Sequence, residues 1–321
     1  MLKGRGVAMR HEQLMEEANR LLEKHGFKSA VNRLPSETCL DIVASSGPHS
    51  LVIKTARNLE DVDREHAEEL CAISSWAGAS PIVLAERFRG EELDDDAVYL
   101  RNGTYALSIG ALERTLEGDP PIVEVGPIGC FVYINGETVR KRREELGLSA
   151  GELARLVGVS RMTIYSYERG RRRTTPSVAY RLEYVLGIPI VVPVNPLSAE
   201  TKHKDVLGGE RVREGQPLEG FLKTVIEVMR KLRLAARALT RAPFEMMAGR
   251  GRIRLAVNIV CREDYEKARI EFTKKFAEIT GLKHLVVKPE GYECPEDVPS
   301  VGIEELKSAR GPKDIVRLLT T

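Results

Sequence analysis

Residues 151–170, GELARLVGVSRMTIYSYERG, constrain the fold most, because two short helical patterns lie on either side of one glycine. Ser149 and Glu152 have the spacing of a capping box, in which a hydroxyl and a carboxylate satisfy free backbone N–H groups where a helix begins. Gly158 ends that helix and permits the positive φ of a tight turn, and Ser160 is a favourable N-cap for the next helix. The segment therefore predicts a helix-turn-helix.

The two predicted helices present different faces. Ala154 is small, as two helices that cross steeply over a short turn require, and Leu153 and Val157 complete an apolar face. From the second helix, Ile164 and Tyr167 would face inward. The side chains left on the outward face are those of Arg161, Met162, Tyr165 and Ser166.

Positive charge is concentrated around this segment. Between residues 138 and 181, eleven Lys and Arg residues stand against four Glu residues, which gives a local charge of +7. The whole chain of 321 residues carries only +2, from 49 basic and 47 acidic residues, so the remainder carries −5. A basic island in an otherwise acidic chain is typical of a nucleic-acid-binding domain. The alternative is a solvated charged face.

Residues 135–189 resemble the Cro-type helix-turn-helix family of phage repressors through three stretches, LGLSAGELARLVGVS, YERGRRR and PSVAYRLEYVLG. The resemblance implies a central five-helix DNA-binding domain, which we assign to residues 128–190. Two apolar stretches that flank its helices, FVYI and IVVPV, could pair as strands. In that family a basic residue of the first helix pairs with the glutamate of the YERG segment. The matching residues are Arg143 and Glu168, for which we expect a structural ion pair.

A helix-turn-helix reads DNA by placing its second helix in the major groove, so residues 160–169 are the predicted recognition helix. Arg161 could donate two hydrogen bonds to a guanine, and Met162 could contact a thymine methyl group or instead pack locally. Arg173 could be solvated in a loop. One such domain reads few base pairs, so we expect a homodimer on a two-fold site. The residues predicted to contact double-stranded DNA are Ser149, Ala150, Gly151, Arg155, Ser160, Arg161, Met162, Thr163, Tyr165, Ser166, Arg169, Arg171 and Arg172.

The chain on either side of this domain contains two similar α/β patterns, in residues 1–120 and 205–321. The stretch CLDIVASSGPHSLVIKTARNLEDV aligns with PFEMMAGRGRIRLAVNIVCREDYE, and SIGALE from Ser108 aligns with SVGIEE from Ser300. We therefore expect the second domain to duplicate the first, although any two α/β segments can be aligned loosely. An offset of 204 residues aligns Asp41, Ala44, Leu51 and Lys54 with Glu245, Ala248, Leu255 and Asn258.

The flanks resemble the restriction-endonuclease-like PD-(D/E)xK family in the order of their elements. That order is a helix, a strand, an Asp-bearing strand, a turn, a Lys-bearing strand and a helix. That chemistry requires two carboxylates that hold a divalent metal and a Lys near the attacked phosphate. Asp41 and Lys54 lie at the matching positions, but Val52 stands where the second acid should be. The second copy keeps Glu245, whereas Ala and Asn replace its second acid and its Lys.

Neither flank has the full catalytic set, so we predict no catalytic residue, no metal and no cofactor. The flanks would then be inactive scaffolds for dimerisation or ligand sensing. One alternative is a metal-dependent DNA nuclease targeted by the helix-turn-helix, in which Glu37 or Glu16 replaces the missing acid. Another is an antitoxin or partner-binding protein whose flanks hold a second protein.

The order flank, helix-turn-helix, flank also resembles an archaeal family of helix-turn-helix transcriptional regulatory proteins, over nearly the whole chain. The resemblance implies a sequence-specific DNA-binding transcriptional regulator whose fold class is α/β plus all-α. Five dispersed cysteines, none in a CxxC pair, fit a reducing compartment. Because no run approaches about 18 apolar residues, we expect a cytoplasmic protein without a membrane segment.

Overall fold

The computed structural model describes residues 11–34, 38–198, 218–260, 263–289, 298–311, 314–315 and 317. The chain divides into two compact units, one made of Met1–Val83 and Leu197–Thr321 and the other of Leu84–Pro196. Both flanks therefore contribute to the first unit, and residues 84–120 belong to the second unit together with the helix-turn-helix. The boundaries of three separate domains remain a prediction.

The first unit begins with a helix, three antiparallel strands, a second helix and a fourth strand. These elements are α1 (His11–Lys24), β1 (Lys28–Val31), β2 (Ile42–Ser46), β3 (His49–Asn58), α2 (Arg64–Ala77) and β4 (Ser80–Phe88), and β4 continues into the second unit. Asp63 caps α2 by accepting the backbone N–H of His66, and Gly78 ends the helix in the left-handed conformation at φ 66°. Most of β3 is buried, because α1 and α2 both pack against it.

The second unit combines a sheet with a small helical domain. Its first elements are β5 (Glu91–Glu92), β6 (Ala97–Arg101), β7 (Thr104–Leu107) and α3 (Ile109–Leu116). The elements around the helix-turn-helix are β8 (Val123–Gly126), β9 (Gly129–Asn135), α4 (Gly136–Glu145), α5 (Ala150–Val157), α6 (Arg161–Tyr167), β10 (Arg171–Thr174), α7 (Pro176–Leu186) and β11 (Val191–Val192).

The helical domain contains four helices between residues 128 and 190, all of which are described, and not the predicted five. The last predicted turn is not a separate helix, because α7 runs without a break from Pro176 to the left-handed Gly187. β9 pairs antiparallel with β8, β10 and β11, and Val191 lies opposite Ile134. The predicted pairing of FVYI with IVVPV is therefore confirmed.

The second half of the first unit repeats the order of helix, three antiparallel strands, helix and strand. Its elements are α8 (Leu218–Lys231), β12 (Ala235–Ala238), β13 (Met246–Arg250), β14 (Ile253–Ile259), α9 (Glu263–Thr280), β15 (Lys283–Lys288), β16 (Ser300–Gly302) and α10 (Ile303–Ser308). α9 connects β14 to the parallel strand β15, and β16 adds a further parallel strand. No helix in the described part of the chain is both long and apolar enough to cross a membrane.

The two halves of the first unit share one strand register at the offset of 204 residues. Ala44 lies opposite Leu51 between β2 and β3, and Ala248 lies opposite Leu255 between β13 and β14. The alignment of SIGALE with SVGIEE is wrong by two residues. Ser108 directly precedes α3, whereas the residue that directly precedes α10 is Gly302 and not Ser300.

The halves of the first unit are joined by partly buried polar contacts. Glu69 of α2 accepts the backbone N–H groups of Thr240 and Arg241 at 2.8 and 2.9 Å, and the Thr240 hydroxyl at 2.7 Å. Arg254 of β14 donates to the carbonyl of Trp76 at 2.8 Å, and α9 packs against β1 and β2. The carboxylate of Glu69 is buried, so its hydrogen bonds depend on the segment that precedes β13.

Candidate nucleic-acid interface

The predicted capping box is present where α5 begins. The backbone N–H of Ser149 donates to the Glu152 carboxylate at 2.8 Å, and the N–H of Glu152 donates to the Ser149 hydroxyl at 3.2 Å. The hydrogen bond from the Ser149 backbone N–H to the carboxylate lowers the pKa of Glu152, because it stabilises the ionised form. Ser149 is exposed and Gly151 is half-buried, but Ala150 is only 7% exposed. Ala150 could therefore offer DNA its backbone and not its side chain.

The turn between α5 and α6 has the geometry that its sequence predicts. Gly158 has φ 73° and ψ 41° and donates its N–H to the carbonyl of Ala154. This left-handed conformation is strained for most other residues. Ser160 then caps α6, since its hydroxyl accepts the backbone N–H of Thr163 at 3.0 Å and lies 2.8 Å from the Thr163 hydroxyl. The predicted recognition helix, residues 160–169, thus contains α6 and both of its caps.

Arg143 of α4 and Glu168 at the end of α6 form a nearly buried ion pair. The Arg143 Nε and Nη2 atoms lie 2.6 and 3.1 Å from the two Glu168 carboxylate oxygens, and the side chains are 12% and 8% exposed. Arg143 also donates to the carbonyl of Leu148 at 2.8 Å. The hydrogen bonds to Glu168 raise the pKa of Arg143. The pair ties the first helix of the domain to the end of α6, as the sequence predicts.

α6 turns a polar face to solvent and an apolar face to the core. Ile164 is fully buried in one cluster with Leu153 and Val157. Met162 lies on the other face and is 70% exposed. The other predicted contact residues between 160 and 169 are half-buried at Thr163 and Tyr165 and exposed at Ser160, Arg161, Ser166 and Arg169. A cation, a thioether and a hydroxyl therefore stand together on one accessible surface.

Three of the residues predicted to contact DNA lie outside residues 149–151 and 160–169, and all three are exposed arginines. Arg155 lies on α5, and Arg171 and Arg172 lie on β10. Arg171 donates to the carbonyl of Pro193 at 2.9 Å, and Arg172 donates to the carbonyl of Ser166 at 3.1 Å. A guanidinium group has five N–H donors, so each of these side chains keeps donors for a phosphate.

A buried carboxylate behind β10 was not identified from the sequence. Glu124 of β8 is 1% exposed and accepts the hydroxyls of Tyr133 and Tyr105 at 2.9 and 3.2 Å. Its other oxygen lies 3.0 Å from Nη1 of Arg173, whose guanidinium carbon lies 3.8 Å from the centre of the Phe131 ring. Arg173 therefore lies on a strand and not in a loop, paired with Glu124 and stacked on Phe131, with its side chain still 35% exposed. Burial, followed by the proximity of Glu124, raises the pKa of Tyr105.

One signal for this cluster does exist in the sequence. The stretch IVEVG places a single acid in an otherwise apolar alternating strand. The prolines and glycines on both sides make the stretch resemble a linker, and the partners of Glu124 lie up to 49 residues away along the chain. Such distant pairing leaves no local pattern.

In the first flank, the residues at the nuclease-like positions bind other residues of the same chain. Asp41 and Lys54 are buried, with Lys54 Nζ 3.1 Å from a carboxylate oxygen of Asp41. That carboxylate also accepts the backbone N–H and the hydroxyl of Thr55, at 2.7 and 2.8 Å. Val52, at the position of the second acid, is fully buried.

In the second flank, the matching residue is Glu245, and its ion-pair partner is an arginine and not a lysine. Glu245 lies 2.5 Å from Nη2 of Arg269 and accepts the backbone N–H of Ile259 at 2.8 Å. Asn258 donates to Glu245 at 3.4 Å, and its amide oxygen lies 2.9 Å from His284 Nε2. Burial raises the pKa of Glu245 and lowers the pKa of His284 to about 4.

These arrangements do not provide the two carboxylates that a divalent metal requires in this chemistry. Among the described residues, no group of three or more His, Cys, Asp or Glu side chains could hold a metal ion. Glu16, one of the candidate substitutes, lies 2.5 Å from Arg33 in an ion pair. Glu37, the other substitute, lies outside the described residues.

Two family models match the chain. The PD-(D/E)XK superfamily domain matches residues 11–121, and the helix-turn-helix model matches residues 139–192. A solved structure titled as a protein of unknown function is 14% identical and covers 54% of this chain and 98% of that chain. Its TM-score is 0.21, which is too low to support an argument about the fold.

Curated relatives match over nearly the full length. A "Putative HTH-type transcriptional regulatory protein" of Thermococcus gammatolerans is 29% identical, with 97% of this chain and 96% of the relative covered. Proteins of the same name from Methanocaldococcus jannaschii and Pyrococcus horikoshii are each 30% identical, and the matches cover 92% and 96% of this chain. The same matches cover 92% and 98% of those relatives. With a PD-(D/E)XK domain in its N-terminal part and a helix-turn-helix at its centre, the chain belongs to this archaeal family of HTH-type transcriptional regulatory proteins.

Proposed function

We propose that the chain is a sequence-specific DNA-binding transcriptional regulator that places α6 in the major groove. The observation that carries the proposal is the solvent-facing side of α6, where Arg161, Met162 and Ser166 are exposed. The helix is held by its caps and by the buried pair of Arg143 and Glu168. Recognition of base edges requires such side chains on a rigid helix. The family to which the chain belongs is named for this activity.

Each exposed side chain of α6 has a role in this proposal. Arg161 donates to guanine O6 and N7, and Ser166 pairs with any of several base edges. Met162 contacts a thymine methyl group, and its 70% exposure favours this role over local packing. The N–H groups at the start of α5 point at the DNA backbone. The proposed phosphate ligands are Arg155, Arg169, Arg171 and Arg172.

We propose that the regulator binds as a homodimer. One helix-turn-helix reads only a few base pairs, so a second copy is needed for a site long enough to be selective. Two identical subunits related by a two-fold axis would read a palindromic site whose half-sites lie about one helical turn apart. Light scattering of the purified chain, alone and with the selected duplex, measures the number of copies.

Selection from a random duplex library tests the proposed DNA recognition. The full-length chain should enrich one motif, and Arg161→Ala should lower the preference at one base position by about 1–3 kcal/mol. Arg64→Ala is the matched control, because it removes an exposed arginine of α2, far from α6 in sequence. It should leave the motif unchanged. Failure of the wild-type chain to enrich any duplex at modest ionic strength would contradict the proposal.

We also propose that the two flanks are duplicates that have lost nuclease chemistry and now serve dimerisation or ligand sensing. The support is the shared register at one offset, with Asp41 and Glu245 at equivalent positions. Each carboxylate accepts the backbone N–H of the residue fourteen positions later, at 2.7 and 2.8 Å. Lys54 and Arg269 provide the charges that balance them.

A metal-dependent nuclease is the second candidate, because the PD-(D/E)XK model matches residues 11–121. Incubation of the full chain with supercoiled plasmid and Mg²⁺ or Mn²⁺ separates the candidates. We expect no nicking above that of a sample treated with chelator. Nicking that disappears in Asp41→Asn, with an unfolding curve like that of the wild type, would establish the nuclease.

A further inference from the structure

Arg161 and Tyr165 of α6 are in direct contact with each other. They lie one helical turn apart, and the Tyr165 hydroxyl oxygen is 3.0 Å from Arg161 Nε and 2.6 Å from Nη2. The guanidinium carbon lies 5.3 Å from the centre of the tyrosine ring. One hydroxyl therefore accepts two N–H groups from the same edge of the guanidinium.

The two partners differ in how firmly they are held. Tyr165 is half-buried and packs against the core cluster of the helical domain, the cluster that contains Ile164 and Leu153. Arg161 is exposed. A free arginine side chain has many rotamers, whereas the tyrosine ring has two side-chain torsions. Tyr165 is thus a fixed acceptor that restricts a mobile donor before any ligand arrives.

The geometry determines which donors remain for a ligand. A guanidinium has five N–H groups, one on Nε and two on each terminal nitrogen. The contact with Tyr165 uses the edge formed by Nε and Nη2. The edge formed by Nη1 and Nη2 points away from this contact and offers two parallel N–H groups. Guanine presents two acceptors, O6 and N7, in the major groove, whereas adenine presents one acceptor and one donor.

We propose that Tyr165 is a specificity-determining positioning residue, which holds Arg161 so that its Nη1–Nη2 edge meets a guanine. This inference rests on the proposed function, because it assumes that α6 lies in the major groove. Tyr165 acts through Arg161 and needs no contact with a base. Its hydroxyl makes discrimination at one base position depend on a side chain one turn away.

Three variants of the full chain test the inference. Tyr165→Phe removes only the hydroxyl, and Arg161→Ala combined with Tyr165→Phe tests whether the two act together. Tyr167→Phe is the matched control, because its hydroxyl lies on the same helix but is 2.7 Å from the Thr174 hydroxyl, on the interior side. Each variant is put through selection from a random duplex library. Its affinity is then measured by fluorescence anisotropy on the wild-type motif and on duplexes that change the guanine assigned to Arg161.

We expect Tyr165→Phe to lower the preference for guanine at that position by roughly 3- to 10-fold, the usual effect of losing such a hydrogen bond. Preferences at other positions should not change. In the Arg161→Ala background the same substitution should have no further effect on this position. Tyr167→Phe should lower the melting temperature and keep the base profile.

Two results would overturn the inference while the proposed function stands. In the first, Tyr165→Phe selects the same motif as the wild-type chain, with the same preference at every position. The other is a uniform loss of affinity for all duplexes, which indicates a direct phosphate contact by the hydroxyl. A wild-type chain that enriches no duplex refutes the inference together with the proposed function.

A measurement without DNA gives a second readout. In the free wild-type chain, the ¹⁵N–¹H signal of Arg161 Nε should exchange slowly with water, because that N–H is hydrogen-bonded. In Tyr165→Phe the signal should shift and exchange at least several-fold faster, whereas in Tyr167→Phe it should not move. An unchanged signal in Tyr165→Phe would show that the contact does not hold the guanidinium.

Discussion

Substitution of Glu168 by Ala should destabilise the helical domain by about 3 kcal/mol. Removal of one partner from a buried ion pair costs about 3–5 kcal/mol, because it leaves the other charge without compensation. Arg143 would keep the Leu148 carbonyl at 2.8 Å and the exposed Glu144 at 3.5 Å. These contacts place the expected loss at the lower end of the range. Loss of a proton from Arg143 cannot reduce this cost, since an arginine side chain stays charged in proteins.

Urea unfolding of the full chain, followed by a probe in the helical domain, measures this loss. The double variant Arg143→Ala/Glu168→Ala should be more stable than Glu168→Ala alone, because it removes the uncompensated charge. Glu144→Ala is the control for the loss of an exposed acid and should change the free energy of unfolding by less than about 0.5 kcal/mol. If Glu168→Ala behaves like Glu144→Ala, the pair does not hold the first helix of the domain to α6 in solution.

Three further predictions concern other sites. Between pH 6.5 and pH 4 the wild-type chain should lose up to about 3 kcal/mol more of its unfolding free energy than His284→Gln. The pKa of His284 is about 4 in the folded chain, so between pH 6.5 and pH 4 the unfolded chain binds more protons and acid favours unfolding. Equal pH profiles of unfolding free energy for the wild-type chain and His284→Gln would refute this. Glu124→Gln should cost about 1–3 kcal/mol in urea unfolding, because Arg173 loses a buried charged acceptor, and a loss within the error of the measurement would contradict the described cluster. Arg172→Ala should weaken binding to all duplexes alike and reduce the slope of log affinity against log salt by about 1, and a change at one base position only would argue against a phosphate contact.

The helix-turn-helix could be predicted in detail because its determinants are local. The capping box of Ser149 and Glu152, the left-handed Gly158 and the cap at Ser160 each involve residues within five positions of one another. Hydrogen bonds of this range leave fixed spacings in the sequence. The error in helix count arose where no local signal separates the last turn of α7 from the rest of that helix.

The flanks were predictable in register but not in how they join. A single offset of 204 residues gives the pairing of β2 with β3 and of β13 with β14, because alternation fixes which residues face each other. Glu69 and Thr240 are 171 residues apart, and the sequence around Glu69 does not indicate which residue it contacts. The residues that would contact DNA remain predictions, since their roles depend on a partner molecule.

The buried carboxylate of Glu69 has a consequence for biosynthesis. Ribosomes add about 5–20 residues per second, so the 171 residues between Glu69 and Thr240 take roughly 10–35 s to emerge. During that delay the nascent N-terminal segment lacks the peptide N–H groups that later surround this side chain. The helix-turn-helix, whose stabilising contacts lie close together along the chain, can mature in the meantime. A message truncated after the central domain would therefore yield a chain whose helix-turn-helix is folded. Its N-terminal segment would stay incompletely folded and open to proteolysis.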